Sequence, residues 1–185
     1  MLISSVWRGI GRGYFVFGLL VGGAVTAGLI SLVGSIVFQW WMPPQARVLT
    51  LPAAMLAVTA VSPMLLRLRY AQNRRQVPQA VSNRGPRVGA FQFGFEMGTA
   101  SRTFMTTTMP HVLLIGLLLV VPLPTALLVG IGFGAGRALV PLLRSYNDYD
   151  LEWTASFDRW ARAVWLGTTV CALIGFLAVA IPGGH

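Results

Sequence analysis

The sequence predicts an all-α fold: a polytopic helix bundle embedded in a membrane, with about five transmembrane helices. Composition is the first reason. Of 185 residues, 55% are hydrophobic and 10% charged, with a mean hydropathy of +0.69. Soluble domains carry roughly 25% charged residues, so this chain has too little polar surface to coat a water-exposed core. Uncharged runs of membrane-crossing length are the second reason. The third is the charge pattern: fourteen basic residues, all arginine, stand against five acids for a net +9. In a lipid-embedded chain that excess reads first as topology and second as a partner surface, for anionic lipid headgroups or an acidic cytoplasmic protein.

The segments follow in order. Arg8 and Arg12 precede the uncharged run Tyr14 to Trp41. That run exceeds both the apolar stretch of a secretory signal and the ~30 Å hydrocarbon core, so it is expected to be a membrane helix ending at the Trp40-Trp41 interface belt. Pro43 and Pro44 break it, and a second span is expected from about Val48 to Leu66. Residues 70–88 hold Arg74, Arg75, Arg84 and Arg87 among Pro78, Asn83, Gly85 and Pro86, the pattern of a basic cytoplasmic loop. A third span from Gly89 is expected to pass Pro110 and reach Val121. Pro122-Leu123-Pro124 then makes a tight turn into a fourth span, Thr125 to about Leu143. The acidic and aromatic stretch Asn147 to Trp160 is an interfacial segment or a docking surface, and a terminal helix covers 161–181. Five spans with the N-terminus in the cytoplasm place twelve arginines inside and only Arg47 outside, which puts the C-terminus outside. Six spans, with the third broken at Pro110, would spoil that asymmetry.

The whole chain, 1–185, forms a single transmembrane domain with an internal repeat. Phe15-x-Phe17-Gly18-x3-Gly22 recurs as Phe91-x-Phe93-Gly94-x3-Gly98 at an offset of 76 residues. The repeat spans 14–70 and 90–146, a duplicated two-helix hairpin followed by the terminal helix. Gly18, Gly22, Gly94, Gly98, Gly132 and Gly136, with Gly130 and Gly134 between and beside them, are expected to let helix backbones approach closely. They lack the strand-to-helix context of a phosphate-binding loop.

The third span differs from the first in polarity. It carries Gln92, Glu96, Thr99, Arg102, Thr103, Thr106, Thr107 and His111. If the segment is helical throughout, all but His111 fall within an arc of about 140°. Charges near a helix centre cost roughly 2.5–3.5 kcal/mol on insertion scales, so Glu96 and Arg102 must face protein or water. Glu96 can also snorkel toward Arg87 or Arg84. The arc is either a binding site or pathway, or a polar clamp between helices.

Several functions are excluded. One cysteine, Cys171, and two histidines, His111 and His185, supply too few ligands for a haem, zinc cluster or dithiol carrier. Cys171 itself is expected to be a small packing residue. The motif Phe91 to Thr103 suggests compact bacterial polytopic proteins, yet the paired helix-embedded cysteines of the disulfide-relay transporters are absent. No catalytic signature is present, so an enzyme acting on lipid ranks third, and no cofactor is encoded by a recognisable motif. The arginine-only, Ala/Gly/Val-rich composition points to a bacterial inner membrane. The expected function is a small subunit of a larger membrane complex whose polar third helix makes the key contacts. The alternative is a small oligomeric transporter or channel lined by that helix. Expected partners are membrane lipid and other membrane subunits or further copies of the chain, with no nucleic acid.

Overall fold

The computed structural model describes residues 10–60, 84–100, 109–146, 160, 163–164, 166–176 and 178, and every regular element among them is a helix. Helix α1, Ile10–Gly34, continues into a π-helical turn, Ser35–Gln39. Then come α2 (Pro44–Ala60), α3 (Val88–Gly98), α4 (Met109–Leu119) and α5 (Leu123–Tyr146), and the apolar α6 (Leu166–Phe176). Among the described residues one helix, Gly11–Gln39, is long and apolar enough to cross a membrane. Most of the basic loop 70–88 and the interfacial segment Asn147 to Trp160 lie outside the described residues.

The chain divides into two compact units, the first comprising Met1–Thr26, Asn73–Phe104 and Leu127–Arg159. In it, α3 runs parallel to the first half of α1, and the two copies of the Phe-x-Phe-Gly motif are each other's packing partner. A Cβ at Gly18 would strike the Phe91 carbonyl and stand 2.8 Å from the Phe95 nitrogen. A Cβ at Gly94 would strike the Phe15 carbonyl and stand 3.1 Å from the Leu19 nitrogen. Adding 76 to the α1 residue and subtracting 76 from the α3 residues turns one contact into the other, as a local twofold axis along the helices requires. Gly22 and Gly98 repeat the relation, facing Phe95 and Thr99 in one direction and Leu19 and Gly23 in the other. The rings obey it too: Phe15 and Phe93 lie 5.9 Å apart, Phe17 and Phe91 5.8 Å. Because each glycine hydrogen points at a carbonyl of the facing helix, the contact gains backbone dispersion and weak Cα–H···O attraction, which do not depend on water.

Helix α5 packs on α1 in the opposite sense. Gly130 abuts Gly23 and Ala24, while Gly134 abuts Leu19 and Leu20. The expectation for Gly132 and Gly136 is corrected: a Cβ at either meets nothing within 4 Å. Two residues further on is about 200° around the helix, so these glycines lie away from the α1 contact. Phe15, Leu19, Ala90 and Ala138 form the buried centre of this unit, with Val16, Phe93, Met97 and Leu142 against it.

The second unit comprises Ala27–Gln72, Met105–Ala126 and Trp160–His185. Here α4 packs on α2 and on the π turn. Gly34 meets the Leu118 backbone, and the buried Ser31 hydroxyl donates to the Val121 carbonyl at 2.7 Å, so α4 runs antiparallel to the second half of α1. Residues Val121 and Pro122 lie outside the helices, and Val121 is one of the most buried residues. A carbonyl there needs a donor, because a buried unsatisfied group costs roughly 1–3 kcal/mol. Ser31→Ala is therefore expected to lower unfolding stability in mixed micelles by about that amount, whereas a loss under ~0.3 kcal/mol would show that the bond contributes nothing. The π turn has its own local cause. Ser35 donates back to the Ser31 carbonyl at 2.9 Å, a bond that loosens the helix ladder.

One expectation about the third span is corrected. Residues 89–121 are not one helix: α3 ends at Gly98, and Ala100, at φ 55°, is in the left-handed region. That conformation stops a helix and costs a residue with a Cβ roughly 1–2 kcal/mol. Pro110 belongs to α4, and residues 101–108 before it lie outside the described residues. In the second unit Met109 meets Thr169 and Gly116 meets Phe176, so α6 runs parallel to α4. Cys171, expected to pack, is exposed on α6.

Candidate functional site

Helix α3 sets Gln92 and Glu96 one turn apart, and a relay forms along them. Arg84, just before the helix, donates from Nη1 to Gln92 Oε1 at 2.8 Å. Gln92 donates from Nε2 to Glu96 Oε1 at 3.0 Å. Only this setting of the amide serves both neighbours, because a guanidinium has no acceptor and an ionised carboxylate no donor. The amide dipole is thus aligned between the positive and negative ends, and each bond polarises the next. One turn on, the Thr99 hydroxyl donates to the Glu96 carbonyl at 2.9 Å. Gln92, Glu96 and Thr99 are half-buried and Arg84 is exposed, so the relay leads from an exposed cation to a carboxylate partly withdrawn from water.

The local twofold relation shows what is unusual about these positions. Subtracting 76 places Gln92, Glu96 and Thr99 over Val16, Leu20 and Gly23. In α1, Leu20 and Gly23 belong to the face that receives α5. The face that is apolar and helix-bearing in the first copy is therefore polar in the second.

The other expected residues fall elsewhere. Arg102, Thr103, Thr106 and Thr107 lie outside the described residues. His111 is half-buried in the first turn of α4, in the second unit, so it is not part of a continuous α3 arc. Arg84 was legible as a snorkelling partner for Glu96, but the bridging role of Gln92 was not. The spacing of four between Gln92 and Glu96 is the signal that could have found it. Arg137 has a local contact of its own, its guanidinium carbon 5.6 Å from the ring centre of Phe133, one turn earlier on α5.

No protein-family model, curated protein or solved structure matches the chain.

Proposed function

We propose that the chain is a small multi-pass subunit of a larger complex in a bacterial inner membrane, with its N-terminus in the cytoplasm and the polar face of α3 making the key contacts. The observation that carries this reading is the replacement of the helix-bearing residues Leu20 and Gly23 by Glu96 and Thr99 in the second copy, with Gln92 in place of Val16 beside them. A face laid out for helix packing but furnished with hydrogen-bonding groups is suited to a polar partner within the membrane, where such bonds are worth ~0.6–2 kcal/mol each.

Membrane embedding is supported by the apolar side chains the helices leave uncovered. Ile36, Leu49 and Leu128 are 66%, 75% and 69% exposed, as are many others spread over α1, α2, α5 and α6. A water-soluble monomer rarely presents contiguous apolar patches beyond a few hundred Å²; hydrocarbon accepts them without cost.

Purification of the tagged chain from its native membrane in a mild detergent tests the reading. A second membrane polypeptide at fixed stoichiometry is expected. A particle containing only this chain would replace the subunit reading with that of a self-contained transporter, with Glu96 as its first residue to probe.

A further inference from the structure

The hairpin corner between α1 and α2 carries polar groups that the relay on α3 does not use. Arg47 lies in the first turn of α2, and its Nε is buried without a hydrogen-bond partner. Gln39, the last residue of the π turn, is in a related position. Its Oε1 lies 3.3 Å from the Ser35 hydroxyl while its Nε2 is buried and unmet, and turning the amide over would only move the deficit to the oxygen. Between them Trp40 and Trp41 are 83% and 81% exposed, as indoles are where a helix leaves the hydrocarbon for the headgroup layer.

Charge decides what such a corner can hold. All five acids of the chain, Glu96, Asp148, Asp150, Glu152 and Asp158, belong to the first unit, so the unit containing Arg47 has no Asp or Glu. Arg47 is half-buried, with its Nε withdrawn from water; a buried donor is costly unless it is met, and no Asp or Glu of its own unit can meet it. The missing group is an anion with several acceptor oxygens. At a tryptophan-flanked membrane boundary the anion in supply is a lipid phosphate, which the guanidinium fork engages through two parallel bonds.

We propose that Arg47, with Gln39 beside the exposed Trp40-Trp41 pair, binds the headgroup phosphate of an anionic phospholipid at the membrane face opposite the arginine-rich loop. This rests on the membrane-spanning reading of α1 but not on the subunit reading or the α3 relay. It also gives the lone outer arginine a function other than topology.

The test uses the full chain, delipidated in a non-ionic detergent, offered equimolar phosphatidylglycerol and phosphatidylcholine, with bound lipid counted by native mass spectrometry. Wild type is expected to retain phosphatidylglycerol preferentially, and Arg47→Gln to retain it at least tenfold less while its helical content is unchanged. Equal retention by the two proteins overturns the proposal. So does the absence of any preference in wild type, a result that does not depend on the variant folding. Displacement of the lipid by millimolar inorganic phosphate would reassign the site to a free anion and also overturn it. Release of the chain from membranes by alkaline carbonate would instead remove the spanning reading beneath it.

Discussion

Gly94→Val is expected to break the first unit, at a cost of about 3 kcal/mol, the upper end of the range for overpacking. The obstacle to the new side chain is backbone: the Phe15 carbonyl and, at 3.1 Å, the Leu19 nitrogen. Backbone atoms of a helix cannot swing aside as a side-chain end can, so α1 and α3 must separate. Separation loses the buried Phe15, Leu19 and Ala90 contacts together with both Phe–Phe pairs. Because the interface is reciprocal, Gly18→Val should cost nearly the same. Gly132→Ala is the matched control on α5, since nothing lies within 4 Å of the added methyl. It should be neutral or gain up to ~1 kcal/mol from better helix propensity. Unfolding in mixed micelles, followed by far-ultraviolet circular dichroism, gives all three values. A Gly94→Val protein as stable as the Gly132→Ala protein would contradict the described packing.

That contrast also marks how far the residues could be read without coordinates. The spacing of four in Gly18-x3-Gly22 and Gly94-x3-Gly98 announces close helix approach, because glycines one turn apart share a face. Gly130, Gly132, Gly134 and Gly136 are spaced by two, which puts alternate members on opposed faces. Their spacing offers two candidate stripes and no means of choosing, and only the presence of Gly23 opposite Gly130 decides. The end of α3 was hidden for a different reason. Thr99-Ala100-Ser101 contains neither glycine nor proline, and the left-handed Ala100 is an unfavourable choice that local propensity does not anticipate. At Pro122-Leu123-Pro124 the residue types promised a reversal. The structure starts α5 at Leu123, with three residues between it and the end of α4 at Leu119.

The polar relay was legible in its parts. Gln92 and Glu96 share a face by spacing, and Arg84 lies just before them, so a cation, an amide and a carboxylate were all in view. Their order was not, because whether Arg84 reaches the carboxylate directly or through the amide depends on side-chain conformations that spacing leaves free. The structure interposes Gln92. This order has an energetic consequence. Removing Gln92 and Glu96 together leaves Arg84, which is exposed, free to be hydrated, so that cation is not stranded. Replacing both partners of a hydrogen bond by apolar groups of similar shape is close to neutral for folding. The same replacement removes the hydrogen-bonding groups that α3 is proposed to offer a partner.

The proposal that the polar face of α3 serves a partner rather than the fold of this chain is tested by the amount of co-purifying partner retained by a Gln92→Leu/Glu96→Leu double variant, alongside its unfolding stability. Stability within ~1 kcal/mol of wild type is expected, with at least a tenfold loss of the partner, equivalent to about 1.4 kcal/mol of binding. A variant that keeps its partner at the wild-type ratio, or that unfolds before it can be purified, would contradict the claim and make the relay part of the chain's own architecture.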